Sequence, residues 1–145
     1  MLVADIIKAK GDAVFAVAFR EDLETAAGIM SSARVGGLIV KDEAGDPVGF
    51  ISEREFTSAL AAFGAAASRR RVGDSMVEPQ RIQASETVVA AMSQLTRTRN
   101  RHALVLEGDR FVGVLSIGDL LKWRLEEKTQ EALVLQDIAR WPHAA

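Results

Sequence analysis

The feature that most constrains this chain is an internal repeat. Residues 49–56 read GFISEREF and residues 113–120 read GVLSIGDL, 64 positions later. Each is Gly, two apolar residues, Ser, two variable residues, an acid and an apolar residue. Fixed-period self-similarity marks a duplicated structural unit. With the sequence moved by 65, Glu21-Asp22-Leu23 falls on Glu86-Thr87-Val88, and Ala26, Ala27 and Met30 fall on Ala91, Met92 and Leu95. Arg34 falls on Arg99, and Leu38–Val40 on Ala103–Val105. The register then loses one residue between Val40 and Val48, where Asp42–Pro47 has the shorter counterpart Glu107–Arg110. Length changes collect in turns, which supports this register.

Each half predicts the same elements. A short strand opens it, Val14–Val17 in the first half and Arg81–Gln83 in the second. Helical spacing follows at Leu23, Ala26, Ala27 and Met30, and at Val88, Ala91, Met92 and Leu95. Asp22 or Glu21, and Ser85 or Thr87, can cap those helices. Two apolar runs separated by a polar Gly/Asp turn then predict a hairpin, Leu38–Val40 with Val48–Ile51 and Ala103–Leu106 with Phe111–Leu115. A second helix starts at Ser52 and at Ser116. The segment Val72-Gly73-Asp74-Ser75-Met76 resembles Val3-Ala4-Asp5-Ile6-Ile7, so each half has its own lead-in. These boundaries predict a first domain over residues 1–64, a linker over 65–71, a second domain over 72–125 and a helical extension over 126–145. One half of some 60 residues is marginal alone. Two halves, sheet against sheet about a pseudo-twofold axis, would bury the apolar face that each leaves open.

The repeated Ser and acid allow two readings. Ser-x-x-Asp/Glu is the capping box, which closes a helix start. The same pair lies on one face of the first turn. There the acid can accept hydrogen bonds from a vicinal diol such as that of ribose. The hydroxyl and the free amides of the turn can hold phosphate. The halves are unequal, because Asp119 in the second corresponds to the longer Glu55 in the first.

Taken together, Val72–Met76, Arg99-Asn100-Arg101-His102-Ala103-Leu104-Val105 and Gly113-Val114-Leu115-Ser116-Ile117-Gly118-Asp119 resemble the CBS domain. In the first half, Val35–Val40 and Gly49–Glu55 do the same. The resemblance covers residues 2–125 and is to a tandem pair, a Bateman module of the standalone two-CBS type. It implies a mixed α/β (α+β) fold and a regulatory role rather than catalysis. The implied ligand is an adenine nucleotide, AMP, ADP, ATP or NAD(H), acting as an energy or redox signal read through an unknown protein effector. Asp119 would hold ribose, Ser116 ribose or phosphate, and Arg101 and His102 the adenine or phosphate side. The matching first-half residues, Gly36 and Gly37, leave room there but offer no base. Ser52, Glu55 and Arg54 form the weaker first set, with Arg54 a phosphate clamp or a surface arginine. Lys122 is a further candidate for phosphate, and Gln83 for an adenine edge. A scaffold with empty clefts, and a module for another adenosyl ligand such as S-adenosylmethionine, are the alternatives.

Composition narrows the remaining classes. A net charge of −2 among 145 residues gives no electrostatic footprint for nucleic acid. Arg69-Arg70-Arg71 has no interleaved aromatic residues and reads as a solvated linker. Cysteine is absent, which removes disulfides and thiolate metal sites and fits a reducing, cytoplasmic setting. The start lacks the pattern of a signal peptide, and no apolar run predicts a membrane span. His102 and His143 lack metal-ligand spacing, so no metal is expected. No nucleophile–base pair or P-loop is present, so no catalytic residue is expected. Residues 126–141 extend the last helix, which Pro142 should stop. Its apolar end predicts packing against its own module or, preferably, against a second chain in a homodimer.

Overall fold

The computed structural model describes residues 1–11 and 14–141. The elements run α1 (Val3–Lys10), β1 (Ala16–Ala18), α2 (Leu23–Ala33), β2 (Gly37–Lys41), β3 (Pro47–Ser52) and α3 (Glu53–Phe63). A 3-10 turn over Gly64–Arg69 precedes α4 (Val72–Ser75), β4 (Gln80–Gln83), α5 (Val88–Thr98), β5 (His102–Glu107), β6 (Arg110–Ser116) and α6 (Ile117–Arg140). The fold is mixed α/β, with two three-stranded sheets, β1-β2-β3 and β4-β5-β6, and a long C-terminal helix.

The repeat is visible in backbone detail. Each hairpin is antiparallel and carries one register shift, after Val40 and after Val105. Asp22 Oδ1 accepts from the Thr25 amide at 2.8 Å, and Thr87 Oγ1 from the Ala90 amide at 3.1 Å. These caps satisfy otherwise open donors at the starts of α2 and α5. Both helices end on an arginine in the left-handed region, Arg34 at φ 56° and Arg99 at φ 55°. The backbone amide of each closes the last turn of its helix, on Met30 and on Leu95 and Thr96.

The chain forms two compact units, residues 12–80 and residues 1–11 with 81–145. They cut the chain differently from the sequence boundaries, because each lead-in packs with the other repeat. In the unit of the second repeat, Val3 and Ile6 from α1 are fully buried with Ile82, Val88, Leu95, Val105, Leu115 and Leu120. Burial of each such side chain contributes about 1.5–3 kcal/mol. In the other unit, Val72 joins Val17, Leu23, Met30, Leu38, Val40 and Ile51.

The glycine that opens each repeated motif has a structural reason in this packing. A Cβ at Gly113 would lie 3.2 Å from Ile7 Cδ1 on α1, and a Cβ at Gly49 would lie 2.6 Å from Met76 Sδ just beyond α4. Ile7 and Met76 are matching lead-in residues, so each seats its side chain on a motif glycine. Val77 then pairs with Phe50 through two backbone bonds of 2.8 and 2.9 Å.

Two expectations need correction. The first strand is Ala16–Ala18, two residues later than its start at Val14. The segment 65–71 is exposed at Arg69 and Arg71, as expected of a solvated linker, but it is anchored at Ala67 and Arg70. Ala67 is buried in the core, the Arg70 carbonyl accepts from the Leu23 amide, and the Arg70 guanidinium lies 3.7 Å from the Phe63 ring centroid. The last helix does extend to Arg140, with Trp141 as its C-cap. Pro142 and His143 lie outside the described residues. Among the described residues, no helix is long and apolar enough to cross a membrane.

Candidate functional site

The turn between β6 and α6 carries the second Ser-x-x-acid motif. β6 leaves the sheet at Ser116 in an extended conformation, φ −101° and ψ 158°, which ends the strand and caps the helix. The Ser116 amide donates to Asp119 Oδ2 at 2.9 Å, and the Asp119 amide donates to Ser116 Oγ at 3.1 Å. The capping box is therefore formed. The Ile117 amide donates to the Arg101 carbonyl at 2.8 Å. Two first-turn amides expected to be open to phosphate are thus bound within the chain.

One cation at this turn was not legible in the motif. Lys10, the last residue of α1, donates from Nζ to Asp119 Oδ2 at 2.7 Å and to the Val114 carbonyl at 2.8 Å. The pair is partly shielded, with side-chain exposures of 37% for Lys10 and 23% for Asp119. Burial alone raises the Asp119 carboxyl. The Lys10 hydrogen bond, the Ser116 amide and the Lys10 charge outweigh it and hold the group below its ordinary value. Asp119 is therefore a carboxylate, and an acceptor, across the physiological range. Lys10 has no motif signature, since it lies 109 positions away and reaches the turn only through the packing of α1.

The structure sorts the other expected residues. His102 stands directly opposite Ser116 across β5–β6, and Arg101 precedes it, exposed. Both belong beside the turn. Lys122 is exposed one turn beyond Asp119. Gln83 is committed elsewhere. Its side-chain amide donates to the Gly108 carbonyl at 3.1 Å and accepts from the Gly108 amide at 3.0 Å. That braces the hairpin turn, at the opposite end of β5 from His102.

The first repeat differs in chemistry. The Ser52 amide and hydroxyl both donate to Glu55 Oε2, at 2.7 and 2.6 Å. The extra methylene lets this carboxylate curl back over the serine, so it serves its own helix start. Across β2–β3, Gly37 stands opposite Ser52 where the second repeat has His102 opposite Ser116. The space expected at Gly37 is filled by the Phe50 ring, whose Cζ would lie 2.4 Å from a Cβ there. Arg54 is exposed on the first turn of α3.

Two strand–helix–hairpin–helix repeats, each with a Ser-capped helix after its hairpin, define a class. The family model for the CBS domain matches residues 3–62 and 72–126. The chain belongs to the CBS domain family, and it carries two such domains. The CBS-domain containing protein ATU1752 from Agrobacterium tumefaciens is 33% identical, with a TM-score of 0.81 over 85% of this chain and 92% of that one. The CBS domain-containing protein CBSX3, mitochondrial, of Arabidopsis thaliana is 28% identical over 138 residues, 89% of this chain and 67% of that protein. The CBS domain protein PAE2072 from Pyrobaculum aerophilum, solved in complex with AMP, shares the fold with a TM-score of 0.71 at 20% identity, over 82% of this chain and 89% of that one.

Proposed function

We propose that this chain is a regulatory, non-catalytic protein that binds an adenine nucleotide at the turn Ser116–Asp119. The observation that carries this reading is the half-buried, ionised Asp119 carboxylate, with Ser116, His102 and Arg101 gathered beside it. An ionised acceptor forms hydrogen bonds worth about 1.5–3 kcal/mol each, and a ribose diol offers two. AMP in the related PAE2072 structure supports the ligand class. AMP, ADP, ATP and NAD(H) share that ribose. Lys122 and Arg101 are exposed cations of this repeat suited to phosphate, and Arg54 is the candidate of the first repeat, at the position of Gly118. Binding would bias the packing of the module, and a protein effector would read the change.

Isothermal titration calorimetry with AMP, ATP, NAD and S-adenosylmethionine tests the reading. A micromolar dissociation constant for an adenine nucleotide, weakened at least about tenfold in Asp119→Ala, is the expected result. Heat-silent titrations with all four would favour a scaffold. That second reading draws on the capping boxes, which already satisfy the motif residues internally.

The same protein is proposed to be a homodimer braced by α6. Leu125, Leu133, Val134, Leu135, Ile138 and Trp141 are 50–75% exposed along its outer half. A helix apolar on several sides is normally covered. These side chains offer on the order of 700 Å², close to the ~800 Å² that each partner of a standard interface buries. A second copy related by a twofold axis supplies an identical apolar surface of matching extent.

A further inference from the structure

The Lys10–Asp119 pair carries an inference that rests on the nucleotide reading above and deepens it. Lys10 Nζ sits on the oxygen that also receives the Ser116 amide, Oδ2. That oxygen belongs to the carboxylate assigned to the ribose diol. The same ammonium bonds the Val114 carbonyl, so it ties the end of α1 to both β6 and α6. Gly11 ends the helix at φ 78°, and the chain reaches β1 of the other compact unit at Ala16. The tie therefore stands beside the first of the two places where the chain passes from one unit to the other. Among the described residues, no lysine or arginine holds Glu55 in this way, and its carboxylate takes the Ser52 amide and hydroxyl. Aligned from Val3 and Val72, the lead-ins place Pro79 where Lys10 stands, and α4 stops at Ser75.

We propose that Lys10 is a binding and specificity residue of the Asp119 site, which exchanges the carboxylate for the phosphate of an incoming nucleotide. A diol that donates to Asp119 Oδ2 competes with Nζ for that oxygen. The displaced ammonium is flexible, with a donor at the end of a four-carbon stem, and seeks the nearest anion. A nucleotide provides that anion in its phosphate, whereas a nucleoside does not. Lys10 thus selects phosphorylated ligands, because only these compensate it for the lost carboxylate. Binding also releases the end of α1, which gives the module a mechanical signal beside one of the two links between its units.

Calorimetry with AMP and with adenosine, on wild-type protein and on Lys10→Met, tests the exchange. Methionine keeps the aliphatic stem and removes the charge. Adenosine is expected to bind Lys10→Met about threefold or more tightly than wild type, since no ammonium has to leave. The preference for AMP over adenosine is expected to fall by about tenfold, the loss of one charge-assisted hydrogen bond. Lys10→Arg should retain the preference. Hydrogen–deuterium exchange over residues 7–11 supplies the second readout. AMP should speed exchange there in wild type and leave Lys10→Met, already fast, unchanged. If AMP binds and the AMP-to-adenosine ratio is the same in wild type and Lys10→Met, or if AMP leaves wild-type α1 unaltered, the exchange is refuted while the nucleotide reading stands. If neither ligand binds either protein, the nucleotide reading fails and the inference with it.

Discussion

The ring of Phe50 fills the space that any side chain at Gly37 would need, with Cζ 2.4 Å from where a Cβ would sit. Phe50 is 4% exposed, so the ring has little freedom to withdraw. In the second repeat the matching positions are His102 and Val114, a larger residue diagonal to a smaller one across β5–β6, as Gly37 is diagonal to Phe50 across β2–β3. The two repeats have traded volume across the hairpin. Gly37→Ala should destabilise the protein by about 1–3 kcal/mol through overpacking. Adding Phe50→Val should recover part of that loss. Urea titrations of the single and double variants measure the coupling; additive effects would contradict the trade.

The unequal carboxylates predict unequal mutants. Asp119→Asn should weaken AMP binding by about tenfold or more, since it removes the charged acceptor. Glu55→Gln should change AMP affinity by less than about threefold, because Glu55 already serves Ser52. Paired calorimetric titrations decide the point, and equal losses would show that both motifs hold ligand.

Asp119 also sets a pH dependence. Its folded-state carboxyl lies below the ordinary value, against the pull of burial, through Lys10 and the Ser116 amide. A depressed carboxyl stabilises the fold at neutral pH. That contribution is lost as the pH falls below about 3.9 and toward the folded value. Wild type should therefore lose more stability than Asp119→Asn between pH 5 and pH 3, as read from chemical denaturation at each pH (about one unit either side of the ordinary value). Asp22, held low by the backbone amide and then the side chain of Thr25, contributes with the same sign in both proteins and cancels in the comparison.

The exposed end of α6 predicts an assembly state. Leu135→Asp combined with Ile138→Asp should halve the mass seen by sedimentation equilibrium at micromolar concentration. The intrahelical pairs Arg124–Glu127 and Lys128–Glu131 remain in this variant, so the helix itself should persist by circular dichroism. An unchanged mass would refute the role of this surface.

The lead-in of the first repeat should matter most to the second. Val3→Ala together with Ile6→Ala opens space beside Ile82, Val88 and Leu120. A loss of about 1–3 kcal/mol per substitution is expected. Side-chain NMR shifts should move in the second repeat first, and a disturbance confined to residues 12–80 would contradict the packing.

Much of this arrangement was legible in the sequence. The duplicated hairpins, the Ser-capped helices and the turn holding Ser116 and Asp119 follow from periodicity and local hydrogen-bond chemistry, which act over a few residues. What escaped acts over long separations. Periodicity places Val3 and Ile6 on one helix face but does not say which repeat receives them. Small residues around Ala67 read as a linker because nothing local shows that Leu23 and Phe63 close over 64–70. Lys10 carries no local sign of its partner, which lies 109 positions away. The pairing of Gln83 with Gly108 has no local sign, because 25 positions separate them.

The exchange of lead-ins has a consequence for synthesis. Synthesis makes α1 before the residues that receive it, which follow position 81. That helix must wait, unsheltered, while residues 12–80 gather around their own core and α4 is made. Only when β6 and α6 emerge does Ile7 find its glycine at 113. Native order is therefore reached late, and a chain stalled before Gly113 would leave Val3, Ile6 and Ile7 incompletely covered for chaperones to recognise.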